Sequence, residues 1–161
     1  NVPPASVYQY FPSIGALFAV LAEKHFMPVF NICQETLDNS EIRSWRDLGE
    51  TAIESASQFY SRNKMSQILF LGVFGAPGVN EFAGSRLNRF TAWYVGYFNL
   101  FFKKNDLEAL PEKLSISVQI IEAIFKRSLA LKGEITEAYK EECRILVLGY
   151  LGEYFDAIEN K

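Results

Sequence analysis

The chain has a single histidine, His25, among its 161 residues, so neither a histidine-based metal site nor a Ser-His-Asp triad has its central group. Its two cysteines, Cys33 and Cys143, stand far apart with no C-x-x-C spacing. That pattern excludes a zinc ribbon and a small disulfide scaffold, and it fits a reducing cytoplasm. Positive charge is also short. Sixteen basic residues face nineteen acidic ones, a formal net charge of -3, which is the wrong sign for a surface built to hold phosphates. By itself this stretch is expected to bind DNA poorly. P-loop, G-x-S-x-G and H-E-x-x-H motifs are missing, so no catalytic residue, cofactor or metal is expected. The longest unbroken apolar runs, such as residues 14–22 and 68–74, fall short of the roughly 20 residues a spanning helix needs, and no membrane partner is expected. The opening Asn1-Val2-Pro3-Pro4 carries neither an initiator Met nor the basic start of a signal peptide. Further sequence is therefore expected upstream.

What is present is apolar and aromatic. With 49% hydrophobic and 15% aromatic residues, the chain is long enough to bury one substantial core. Its apolar residues recur at helical spacing and no alternating strand pattern competes, so the expected fold class is all-α, a helical bundle. A short helix is read over residues 6–11, ended by Pro12. Ser13 then caps a long helix over residues 13–37, with Pro28 as its kink. Ser44 caps a helix in which Trp45, Leu48, Ala52, Ala56 and Phe59 share a face, ending near residue 62. A short apolar helix over residues 65–74 precedes the break Gly75-Ala76-Pro77-Gly78. A densely aromatic helix follows over residues 81–102. Leu110-Pro111 is read as a connection, Ser115 or Ser117 as the cap of a helix to residue 131, and Thr136 as the cap of the last helix.

The segment Val2-Pro3-Pro4-Ala5-Ser6-Val7-Tyr8-Gln9-Tyr10-Phe11-Pro12-Ser13, followed by Ala16-Leu17-Phe18, resembles the recognition helix and following helix of TetR-like (tetracycline repressor family) transcription regulators. The match lies at Val2, at Tyr8-Gln9-Tyr10-Phe11 and at Leu17, within about the first twenty residues. Two positions depart from the family pattern. Ile14 stands where a phosphate-touching Lys is common, and Pro3 where a capping Ser is usual. The resemblance implies that residues 1–30 are the end of a helix-turn-helix DNA-binding domain running into a connecting helix, with two helices before Asn1. It implies that residues 31–161 are a ligand-binding and dimerisation domain. It also implies operator DNA, a small hydrophobic or aromatic effector and a second copy of the chain as partners.

On that resemblance, Pro4, Ala5, Ser6, Tyr8, Gln9 and Tyr10 are the expected DNA contacts, since such helices read base edges near their N-termini. Packing of a small three-helix core is the alternative, and it is the expected role of Phe11. The middle of the chain, which includes Tyr60, is unusually aromatic. Trp45, Phe59, Phe70, Phe74, Phe90, Trp93, Tyr94, Tyr97, Phe98 and Phe101 are its expected ligand-binding set, although each taken alone suits plain core packing. Ile121, Phe125, Ser128, Leu146 and Tyr150 are the expected dimer interface, carried over from the family's last two helices. His25 is read as a surface or capped group, with a pocket donor as the alternative. Arg86 and Arg89 are read as surface residues, with an anionic ligand head as the alternative. Glu50 and Glu54 share a helix face and are read as solvated. Two other functions stay open: a helical binding module without DNA function, and an enzyme built on paired carboxylates.

Overall fold

The fold of the chain is given by a computed structural model that describes residues 11, 13–72, 79–103 and 107–159. Every regular element among them is helical, as the periodicity requires. The helices are α1 (Ile14–Phe26), α2 (Pro28–Asp38), α3 (Trp45–Arg62), the single turn α4 (Lys64–Ser66), α5 (Val79–Phe98), α6 (Leu110–Lys132) and α7 (Glu137–Glu159). A π-helical turn, Gln67–Leu71, continues α4.

Local chemistry sets most of the ends. Ser13 accepts the Ala16 N–H at 3.1 Å and starts α1. Ser44 and Asp47 form a reciprocal capping box: the Asp47 N–H donates to Ser44 Oγ at 3.3 Å, and the Ser44 N–H donates to Asp47 Oδ2 at 2.8 Å. Such caps contribute about 1 kcal/mol each, because they satisfy N–H groups that a helix start leaves unpaired. Gly133 closes α6 with φ at 75°, a left-handed conformation that glycine adopts without a Cβ penalty. At Gly72 a Cβ would overlap the Ile68 carbonyl oxygen, so only glycine ends the π-helical turn there.

Several boundaries differ from expectation: the aromatic helix α5 spans Val79–Phe98 rather than residues 81–102, and two further differences involve proline. The long helix over residues 13–37 is divided at Met27, which keeps helical dihedrals (φ -49°, ψ -37°) while Pro28, lacking an N–H, interrupts the ladder. Together the two pieces form a 24-residue stretch, Gly15–Asp38, that is long and apolar enough to cross a membrane by length and composition, which the count of unbroken runs did not register. The second difference is α6, which begins at Leu110 rather than at residue 115. Pro111 sits in its first turn, where a missing N–H costs nothing. Ser117 is no cap but lies buried inside the helix, donating to the Lys113 carbonyl at 2.9 Å.

α3 is the central element and packs against α2, α4, α5, α6 and α7, while α1 packs on α4 and α5. At the α3–α7 end the core is a ring stack. Trp45 and Phe98 lie 4.7 and 5.4 Å from Phe155, ring centre to ring centre, and Phe155 is fully buried. At the other end, where α1, α2, α3, α5 and α6 converge, packing is incomplete.

Candidate ligand pocket

The gap arises from small residues on α3. Ala52, Ala56, Phe59 and Tyr60 follow the spacing that puts them on one helix face, and the two alanines leave that face hollow between larger neighbours. Phe26 at the end of α1 and Val29 and Cys33 of α2 wall one side. Arg86, Leu87 and Phe90 of α5 and Val118, Ile121 and Glu122 of α6 wall the other. The centre of a water molecule can range over about 50 Å³ in this cavity. A second, smaller void of about 20 Å³ lies alongside, lined by Tyr94, Phe98 and Leu114 among others, and Ala52, Phe90, Val118 and Ile121 belong to both walls. Those four residues are the wall the two voids share.

Apart from the Cys33 thiol, the side-chain polar groups in the main wall are the Tyr60 hydroxyl, the Arg86 guanidinium and the Glu122 carboxylate. They act as a unit. Tyr60 Oη donates to Glu122 Oε1 at 2.6 Å, and Arg86 Nη2 donates to the same oxygen at 3.0 Å. Arg86 is only 6% exposed, with its central carbon 4.4 Å from the Phe70 ring centre and 5.0 Å from that of Phe26. Burial pulls its pKa down, but the Glu122 charge and the hydrogen bonds outweigh burial, and the guanidinium stays protonated. Burial, then the Glu122 charge, pushes the Tyr60 hydroxyl well above the ordinary tyrosine range, so it remains a donor. The Cys33 thiol is pushed up to about 11 by burial, which leaves it a small apolar wall group and no nucleophile near neutral pH.

Of the expected ligand set, Phe59 and Phe90 line the cavity. Phe70, carried on the π-helical turn, stacks on Phe59 at 6.3 Å and stands behind Arg86. Tyr94 and Phe98 line only the smaller void, and the Tyr94 hydroxyl donates to the Leu48 carbonyl. Trp45 is a core residue against Phe155, remote from the hollow. Trp93 packs edge-on to Phe30, and Tyr97 donates to Gln34 Oε1 at 2.7 Å, both on the α2 side of α5. Phe101 is exposed beyond the end of α5. Phe74 lies outside the described residues, as do Pro4, Ala5, Ser6, Tyr8, Gln9 and Tyr10.

The expected dimer set requires correction. Ile121, Phe125 and Ser128 are buried inside the protomer, and Ile121 is part of the pocket wall. Ser128 closes the α6–α7 turn, donating to the Glu134 carbonyl at 2.7 Å and accepting the Thr136 N–H at 3.2 Å. Leu146 is exposed, whereas Tyr150 is half-buried beneath the Lys113 ammonium. The outward apolar side chains on these two helices include Leu131, Ile145 and Leu146.

Other expected roles also move. Arg86 is not a surface residue, because the Glu122 carboxylate and two rings enclose it. Arg89 is exposed and pairs with Glu23 at 2.6 Å, tying α5 to α1. His25 is half-buried at the α1–α4 corner, where its carbonyl accepts the Ser66 hydroxyl at 3.2 Å. Glu50 and Glu54 each meet a cation of α7, Arg144 at 2.8 Å and Lys140 at 3.0 Å. Their spacing serves an inter-helix ion network. Sequence reasoning passed over Val29, Cys33, Val118 and Glu122 as pocket residues, because nothing local separates a wall residue from a core residue. The small Ala52 and Ala56 on an otherwise large apolar face were the available signal. The chain matches no family model, no curated protein and no solved structure.

Proposed function

We propose that this chain is the ligand-binding and dimerisation part of a TetR-like DNA-binding regulator, a repressor, whose operator binding responds to a small, largely apolar effector. The observation that carries the reading is the position of Phe26. The helix α1 follows directly on the Tyr8-Gln9-Tyr10-Phe11 segment, and its last residue is a wall of the cavity. An effector that displaces Phe26 therefore acts on the same helix that leads back to the DNA-reading segment. Met27 and Pro28 form the joint at which α1 can change its angle to α2, and the Arg89–Glu23 pair holds α1 to α5.

The mechanism is a population shift. Two recognition helices of a dimer must sit about 34–36 Å apart to enter successive major grooves, and an effector that favours a different α1 tilt removes the dimer from that spacing. Val20, 55% exposed on α1, supports the reading, since the two helices implied upstream need an apolar surface to pack on. Leu131, Ile145 and Leu146 supply an outward apolar surface on α6 and α7 for a second copy. DNA affinity in this scheme comes from residues outside the acidic body described here.

The test uses protein from the complete reading frame and a labelled duplex from immediately upstream of its gene. Saturable binding that prefers this duplex to a scrambled one, falls with salt and changes on adding an apolar ligand is expected. Equal binding to both duplexes across salt concentrations would favour the other reading, a helical binding module with no DNA function, for which the net charge of -3 speaks.

A further inference from the structure

The Arg86 guanidinium is enclosed on the wall of an apolar cavity, yet its hydrogen bonding is incomplete. Nη2 reaches Glu122, while Nε is fully buried with no acceptor among the described residues. A buried N–H of a charged group left without a partner is costly, so an occupant that parts the wall far enough to reach Nε, which has almost no accessible surface of its own, gains by supplying an acceptor there. The charge on Arg86 is already balanced by Glu122 at 3.0 Å. A carboxylate placed beside this pair would face the Glu122 charge across a site with little water, whereas a neutral acceptor meets the N–H without adding charge.

We infer that the effector is a small, neutral, apolar molecule bearing one carbonyl-type acceptor, a ketone, aldehyde or ester, whose oxygen completes the hydrogen bonding of Arg86 while its body lies between Ala52, Ala56, Phe59 and Phe90. The inference rests on the pocket reading above and adds the head-group chemistry. The free space, about 50 Å³ with about 20 Å³ alongside, is less than the roughly 150 Å³ of a cavity that holds benzene. The ligand is therefore no larger than a single ring and enters only as the wall shared with the void lined by Tyr94 and Phe98 moves aside.

Three molecules of nearly the same shape separate the alternatives by calorimetric titration of the intact chain: acetophenone, α-methylstyrene and benzoate. Acetophenone is expected to bind at least about tenfold more tightly than either of the others, the advantage of one hydrogen bond to a charged donor. In the triple variant Tyr60→Phe/Arg86→Met/Glu122→Leu, which removes the whole polar cluster and leaves no freed hydroxyl to take the ketone, the difference between acetophenone and α-methylstyrene is expected to collapse. Equal affinity of the ketone and the hydrocarbon for the unsubstituted protein overturns the head-group inference, with water completing Arg86, and leaves the pocket standing. So does tighter binding of benzoate, which would mean an anionic effector. Binding by none of the three overturns the pocket reading and this inference with it.

Discussion

Arg86 on α5 and Glu122 on α6 meet at 3.0 Å in a site where Tyr60 of α3 donates to the same carboxylate oxygen. Three helices are thereby joined at one atom inside the bundle. Removing one partner of a buried pair leaves the other charge uncompensated, so Arg86→Met is expected to cost about 3 kcal/mol or more, while Tyr60→Phe/Arg86→Met/Glu122→Leu, which leaves neither a charge nor the Tyr60 hydroxyl unpaired, costs distinctly less. Urea unfolding of the two variants checks this. A single variant less damaging than the triple one would mean that the cluster adds nothing to the fold.

The hollow beside this pair exists because α3 carries alanine at 52 and 56. Filling about 50 Å³ of void returns about 1 kcal/mol at roughly 24 cal/mol per Å³, and the lower helix propensity of valine takes back about half. Ala56→Val is therefore expected to leave the melting temperature unchanged or slightly raised, and to weaken binding of compact apolar ligands about tenfold or more. Retained ligand affinity in this variant, or a stability loss above about 2 kcal/mol, would show that the space is not where the ligand goes.

What could be read from the sequence divides by range. The all-helical class, the Ser44 cap, the Pro28 kink and the Gly133 stop are legible because they depend on residues within a turn of one another. The pocket is only half legible. Aromatic periodicity finds Phe59 and Phe90, but it finds Trp45 and Tyr97 equally, since a ring against Phe155 and a ring against a void look the same along the chain. Arg86 and Glu122 belong to different helices, and no spacing rule pairs them. For Ile121, Phe125 and Ser128, periodicity establishes a buried face without stating whether the cover is the same chain or a second copy.

Asp47 lends itself to a pH test. Its carboxylate accepts hydrogen bonds from the Arg43 N–H, from the Ser44 hydroxyl and from the Ser44 N–H, which hold its pKa below the ordinary 3.8. A group whose folded pKa is depressed stabilises the fold above its unfolded value, and that contribution is lost as pH falls through the folded value. Asp47→Ala is expected to cost about 1 kcal/mol at pH 7, and the gap from the unsubstituted protein should close below about pH 3.8. At Glu54 burial pushes the pKa up, but the hydrogen bonds from Lys140 and Gln58 and the Lys140 charge together outweigh it, and the shift is in the same downward direction. Thermal melts of both proteins from pH 7 to pH 3 supply the measurement, and a gap that widens as the acid range is entered would contradict the cap assignment.

The correction to the dimer surface yields the last expectation. Phe125 is fully enclosed in its own protomer, so Phe125→Ala is expected to destabilise the fold by about 3–5 kcal/mol. Ile145 is 60% and Leu146 45% exposed, a turn or less apart on the outer side of α7, with Leu131 at 59% on α6. In a symmetric pair each such side chain appears twice, so one substitution acts on both halves of the contact. Ile145→Glu/Leu146→Glu should accordingly yield a folded monomer, because four carboxylates would meet in the assembled face and none would be buried in the free chain. Sedimentation at micromolar concentration, alongside a thermal melt, distinguishes the two classes of variant. A dimer that survives the glutamates, or an unsubstituted protein that sediments as a monomer, would move the assembly surface away from α6 and α7 and remove the symmetric mechanism built on it.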